Sequence, residues 1–219
     1  MSKIHIYCMP GLAAGPEIFH KLNLDKNLYE LHYLEWKKPL ALEESIANYA
    51  MRMTDDIQHN NPVLIGVSFG GIMVQEMSKF VDTKKIIIVS SVKSTNELPK
   101  RFKIASKSKI YRLFPTTIIS NFEDYARFFV GKTLEKKAEI YKKYLSVRGK
   151  SYLKWSIKNA VNWNQSKPID GIVHIHGTKD QVFPINHIKN AIKIDGGNHA
   201  IIITKAREIS KIIHESLTC

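Results

Sequence analysis

The run from Pro62 to Met77 constrains this chain more than any other. Pro62-Val63-Leu64-Ile65 is an apolar strand pattern, Gly66-Val67-Ser68-Phe69-Gly70 a glycine-bounded turn, and Gly71-Ile72-Met73-Val74-Gln75-Glu76-Met77 a helical pattern. A strand that turns sharply into a helix at a serine lifts the hydroxyl clear of the sheet and sets backbone N–H groups beside it. A serine hydroxyl is a weak nucleophile and needs a base to activate it. A structural turn with an incidental serine has the same five residues, so the rest of the chain must separate the two readings.

The alternation around this stretch is that of a parallel sheet. Residues 3–8 form an apolar strand pattern that must turn at Met9-Pro10-Gly11. A short helix is expected around Ile18-Phe19 and Leu22, and a second strand over Tyr29 to Trp36. Leu42, Ile46, Tyr49, Ala50, Met53 and Ile57 fall on one helical face. After the Ser68 turn, Ile72, Met73, Met77 and Phe80 give the next helix an inner face. Ile86-Ile87-Ile88-Val89 is a continuous β-branched run, as a central strand covered on both faces shows. The pattern returns at Gly171 to His176 and Ala191 to Ile194, and a last helix carries Ile202, Ala206, Ile209, Ile213 and Leu217 on one face. The expected fold class is α/β: a doubly wound, mostly parallel six-stranded sheet.

Residues 93–165 interrupt the alternation. Ile110 to Phe114 and Phe122 to Phe129 are aromatic-rich, and Leu134, Ala138, Tyr141 and Leu145, then Leu153, Ile157, Ala160 and Val161, recur at helical spacing. The expected organisation is a core of 1–92 and 166–219 with a helical cap of about four short helices over 93–165, lying above the carboxyl ends of the strands. The cap segment holds 17 Lys and Arg against 5 Asp and Glu, a balance of +12 within a formal net charge of +13. An acidic ligand such as a nucleotide-bearing thioester, an anionic membrane surface, or a lysine-rich composition without functional meaning would each produce it.

Two further stretches carry chemistry. His176-Gly177-Thr178-Lys179-Asp180 places an acid in a turn after the fifth strand, and Gly196-Gly197-Asn198-His199 places a histidine in a glycine-bounded loop after the sixth. Both fall at the same sheet edge as Ser68, where a histidine can take the serine proton and a carboxylate can fix the imidazole. Bland readings stand beside these: Asp180 as a turn former and His199 as a capping residue of the loop. The segment after the fourth strand, an alternative place for the acid, holds no carboxylate before Glu97.

With Ser68, Asp180 and His199 in that order, the chain resembles a compact α/β-hydrolase. The likeness spans residues 3–92 and 168–217 and is weak over the cap. It implies Ser68 as nucleophile, His199 as general base and then acid, and Asp180 as its orienter. It also implies an oxyanion hole from the backbone N–H groups of Phe69 and Leu12. Two departures are visible: many relatives begin with an additional antiparallel strand pair, and many carry His-Gly where this chain has Pro10-Gly11. Because the hole uses backbone N–H groups, Pro10 leaves the donor at Leu12 in place.

The function expected from these residues is a serine hydrolase acting on a small-molecule carboxylic ester or thioester through an acyl-enzyme. An acyl-CoA-type thioesterase using the basic cap is the alternative within that class, and a ligand-binding protein of the same fold the alternative outside it. Phe128 and Trp155 are candidate pocket residues, and Phe129 and Trp163 share that reading; aromatic residues at helical spacing also form cap core. His174 and His176 share a strand face but read as buried, hydrogen-bonded residues, so no metal site is expected. No phosphate-binding glycine pattern indicates a nucleotide cofactor, and no nucleic-acid module is recognisable. Cys8 and Cys219 form no framework, no leader pattern precedes Ile4, and no apolar run reaches spanning length, so the expected setting is cytoplasmic.

Overall fold

A computed structural model describes residues 2–109, 144–147 and 149–218. Its centre is a six-stranded sheet in the order β2-β1-β3-β4-β5-β6. The strands are β1 (Ile4–Met9), β2 (Tyr29–Tyr33), β3 (Val63–Val67), β4 (Lys85–Val89), β5 (Val173–Gly177) and β6 (Ile192–Ile194). All five pairings are parallel. β3 is buried along its whole length and β4 nearly so, which is why their sequences are uninterrupted apolar runs instead of alternating ones. The expected doubly wound α/β architecture is therefore present.

The sheet order has one functional consequence. The chain runs from β1 outward to β2, then crosses back to place β3 on the other side of β1. Open α/β sheets bind ligands in the crevice where the winding reverses, at the carboxyl ends of the flanking strands. Here those strands are β1 and β3, which end at Met9 and at Val67, next to Ser68.

Each face of the sheet buries its own apolar layer. One contains Tyr7, Met9, Tyr49, Met53, Leu64, Ile72, Met73 and Trp155, beneath α1 (Ile46–Thr54), α2 (Phe69–Met77) and a helix of the interrupting segment. The other contains Ile6, Cys8, Phe19, Ile65, Ile87, Ile175, Ile209 and Ile213, beneath the C-terminal helices. Between β4 and β5 the described helices are α3 (Lys100–Ser108) and α4 (Lys150–Val161). The aromatic-rich stretches and the helical repeat over 110–141 lie outside the described residues.

Several boundaries differ from expectation, each for a local reason. α1 begins at Ile46 because Ser45 accepts the Asn48 N–H at 3.1 Å and caps it, so Leu42 lies outside the helix and is exposed. Phe80 falls past the end of α2 and is exposed, not inward-facing. β2 stops at Tyr33, which leaves Trp36 free to turn toward the site. The last helical face is split at Lys205 into α5 (Ile201–Thr204) and α6 (Ala206–Thr218), with its apolar residues still on the sheet.

Candidate active site

Ser68 sits at φ 54° and ψ −120°, a conformation that a side chain other than glycine's resists at a cost on the order of 1–3 kcal/mol. Three hydrogen bonds hold it there: Ser68 N–H to Val89 O at 2.9 Å, Gly71 N–H to Ser68 O at 2.9 Å, and the Ser91 hydroxyl to Ser68 O at 2.7 Å. The flanking glycines are steric requirements. A Cβ on Gly66 would stand 2.3 Å from Gly70 O, and one on Gly70 2.3 Å from Pro10 O. The turn after β1 is thus pressed against the start of α2, alongside the serine.

The loops after β5 and β6 are joined to each other before they reach the serine. Lys179 N–H donates to Gly197 O at 2.8 Å and Thr178 N–H to Ile194 O at 3.0 Å. A Cβ on Gly177 would meet Gly197 O at 2.4 Å, so the close approach depends on glycine. On this joined platform, Asp180 Oδ1 accepts the N–H groups of Val182 and Phe183 at 2.8 and 2.9 Å. Asp180 Oδ2 lies 2.8 Å from His199 Nδ1, and His199 Nε2 lies 2.9 Å from Ser68 Oγ. A carboxylate only accepts, so His199 Nδ1 carries the proton and Nε2 presents its lone pair to the serine hydroxyl. The structure brings Ser68, His199 and Asp180 into one hydrogen-bonded chain, all three buried.

Burial works to raise the Asp180 carboxyl, but the neighbouring His199, by charge and hydrogen bond, together with His176 and the Phe183 N–H, holds it below the usual carboxylate range. His176 packs against this acid from β5. Its Nε2–H donates to Phe183 O at 2.8 Å and stands 3.4 Å from Asp180 Oδ2, while its Nδ1 meets His174 Nε2 at 3.1 Å. Both strand histidines are buried and held toward the neutral form. Burial lowers His174 most, with His176 and Lys93 adding to it, down to about 3. Burial also lowers His176, against the pull of Asp180.

Phe69 opens α2, so its N–H belongs to the first helical turn, where backbone donors lack intrahelical partners. Leu12 follows Gly11, on which an added Cβ would lie 3.4 Å from Ser68 Cβ; both expected oxyanion donors therefore belong to turns flanking the serine. Trp155 is wholly buried in α4. It stacks on Tyr49 at 4.0 Å, lies edge-on to Phe69 at 6.1 Å, and its indole N–H donates to Glu44 O at 2.8 Å. Trp163 is also buried and donates to Glu76 Oε1 at 2.8 Å. These contacts fasten the interrupting segment to α1 and α2. Phe128 and Phe129 lie outside the described residues.

Sequence reading missed three residues that shape the site, Trp36, Arg101 and Ser91. Trp36 donates to Gly11 O at 2.9 Å and stacks on Phe69 at 5.3 Å. Arg101 of α3 donates to Gln181 O and Val182 O at 2.8 and 2.6 Å, bracing the turn that holds Asp180. Ser91 left no local signal, because the Ser68 carbonyl it holds belongs to a residue 23 positions away. His176, expected as a buried and hydrogen-bonded strand residue, is one, with Phe183 seven residues on and Asp180 four residues on as its partners. Glu97, the alternative acid, is engaged elsewhere, accepting the N–H groups of Lys93 and Lys189 at 2.7 and 3.1 Å.

Solved structures of the same architecture cover nearly the whole chain. An α/β-hydrolase-fold protein from Burkholderia ambifaria superposes with a TM-score of 0.70 at 11% identity, over 98% of this chain and 91% of that one. A bromoperoxidase from Bacillus anthracis gives 0.71 at 14% identity, over 100% and 93%. An esterase from Exiguobacterium antarcticum gives 0.66 at 15% identity, over 100% and 93%. No family model matches the chain, and no curated protein matches it in sequence. The chain has the α/β-hydrolase fold, with helices inserted after β4 and a Ser-His-Asp arrangement at the switch point of its sheet.

Proposed function

We propose that the protein is a serine hydrolase that cleaves a small carboxylic ester or thioester through an acyl-enzyme. The observation that carries this reading is the chain from Ser68 Oγ to His199 Nε2 and from His199 Nδ1 to Asp180 Oδ2, at 2.9 and 2.8 Å. Ser68 Oγ attacks the substrate carbonyl carbon as its proton passes to His199 Nε2. Asp180 fixes the His199 tautomer and stabilises the imidazolium. The N–H groups of Phe69 and Leu12 take the negative charge that develops on the carbonyl oxygen. The tetrahedral species collapses as His199 gives its proton to the leaving alcohol or thiol. A water then attacks the acyl-enzyme with His199 again as base, releasing the acid and restoring Ser68.

The esterase among the similar structures agrees with this chemistry without extending to a substrate. The cap is proposed to span 93–165 and the core 1–92 and 166–219, with the acyl site beneath the cap. The +12 balance of that cap favours a second reading, a thioester on an anionic carrier such as an acyl coenzyme A. The proposed setting is cytoplasmic: Cys8 is buried in β1, and no helix among the described residues is long and apolar enough to cross a membrane.

A fluorophosphonate probe tests the nucleophile directly. Wild-type protein is expected to be labelled at one site and Ser68→Ala to remain unlabelled. Equal labelling of the two, or no labelling of folded wild type, refutes the assignment.

A further inference from the structure

At the opposite end of β1 from Ser68, three histidines from separate parts of the chain converge. Parallel pairing sets His5 opposite Glu30 and Tyr7 opposite His32, so His5, Tyr7 and His32 occupy one face of the edge of the sheet. The connection from α1 to β3 brings His59 over the same face. His5 Nδ1 is 3.0 Å from His32 Nε2, the His5 and His59 rings stack at 3.5 Å, and the His32 and His59 centroids are 4.8 Å apart. One ring nitrogen from each residue lies within 4.8 Å of the other two, and among the described residues no other group of His, Cys, Asp or Glu gathers in this way.

We propose that His5, His32 and His59 form a binding site for a divalent transition-metal ion of the zinc class, fastening the edge strand β2 and the α1–β3 connection to β1. Three imidazoles with an open fourth position are a donor set that suits Zn2+, Cu2+ or Ni2+ and disfavours Ca2+ or Mg2+. At metal–nitrogen lengths of about 2.0–2.1 Å, tetrahedral donors stand roughly 3.3 Å apart, so the His5–His32 pair, at 3.0 Å, needs to open only slightly. The stacked His59 ring must splay from His5 for its lone pair to converge. All three side chains are only partly buried, which leaves room for that rotation.

The surroundings fit this donor set. Tyr7 Oη lies 2.7 Å from His59 Nδ1 and accepts the Gln58 N–H at 2.9 Å. A His59 Nδ1–H donating to that oxygen frees the Nε2 lone pair for an ion, as outer hydrogen bonds commonly do for ligating histidines. Glu30 Oε2, 3.8 Å from His5 Nδ1, adds negative charge beside the cluster.

The test is Zn2+ titration of chelator-treated full-length protein at pH 7.5, read by competition with a chromophoric chelator and by thermal unfolding. One equivalent is expected to bind, and a hundredfold excess over Kd to raise the unfolding midpoint by about 5–10 °C. His59→Gln and His32→Asn are expected to abolish both effects, and His20→Gln to leave them intact. Because His59 lies in a connection, His59→Gln provides a folded comparison even where substitution within β2 destabilises the sheet. The proposal fails if wild type binds no stoichiometric Zn2+, or if binding survives His59→Gln. It fails equally if binding is lost instead on His199→Gln, which would place the ion at the triad.

Discussion

At the level of single residues, the Ser-His-Asp arrangement divides its work by hydrogen-bonding capacity. Asp180 spends one carboxylate oxygen on two backbone N–H groups and the other on His199, so its orientation is fixed on both sides. Asp180→Asn preserves shape but offers an N–H where His199 Nδ1–H needs an acceptor, turning the imidazole to the wrong tautomer. On the proposed ester substrates, kcat is expected to fall about 10^4-fold with the fold retained, checked by steady-state kinetics beside circular dichroism. His174 makes a separate prediction. Unfolded, it titrates near its ordinary value of 6.5; folded, burial holds it down to about 3. Between these values the unfolded chain binds a proton that the folded protein refuses, so its contribution to stability is lost as pH falls through the window. The loss reaches about 3 kcal/mol by pH 4. The lowered Asp180 carboxyl loses its contribution only below its ordinary 3.8, outside this part of the window. His174→Gln, which stays neutral and can still donate to His176, is expected to lessen the fall of the urea midpoint between pH 6.5 and 4 without abolishing it, because His176 and His32 are also lowered and keep their share. An unchanged slope would assign the acid loss to other groups.

Among the elements, the elbow stands on contacts that exclude a single methyl group. A Cβ on Gly70 would press on Pro10 O and Met9 O at 2.3 and 2.4 Å, both rigid backbone atoms. Gly70→Ala must therefore part α2 from the turn after β1, and is expected to cost about 2–3 kcal/mol of stability. Gly11→Ala, in the same turn, meets its nearest neighbour at 3.4 Å and is expected to stay within about 1 kcal/mol of wild type. Chemical denaturation of the pair separates a steric requirement from a general preference for glycine. Equal midpoints would show that the elbow relaxes freely.

The whole molecule joins a nearly balanced core sequence to a basic insertion. Arg101 is already committed to the Asp180 turn, and Lys93 to Lys189 O at 2.6 Å, so part of the positive charge serves packing. If the rest attracts an anionic substrate, raising salt from about 20 to 300 mM, which shrinks the screening length to a few ångströms, should lower kcat/KM on a coenzyme A thioester several-fold. A neutral ester should be unaffected, and salt-independent thioester turnover would remove the electrostatic argument. The doubly wound sheet was legible because β3 and β4 are continuous apolar runs flanked by helical periods. The order Ser68, Asp180, His199 was legible because each residue lies within three positions of a glycine in the turn that follows a strand. Contacts made by distant residues left no local pattern. His5 and His32 are 27 residues apart, and each alone is an ordinary strand histidine. Trp36 read as the end of a strand because nothing nearby showed that its indole would bond to Gly11. Lys205 interrupts the last helix without a proline or glycine to announce it.

The indole contacts have an optical consequence. The chain has three tryptophans, Trp36, Trp155 and Trp163, and each donates its N–H across a boundary: to the turn beside Ser68, to the residue before the Ser45 cap of α1, and to α2. None lies on β5, β6 or the C-terminal helices. The intrinsic fluorescence of this protein is therefore a local gauge of the seam between insertion and sheet. Its emission will shift when that seam opens or fills, even while the far side of the sheet stays folded.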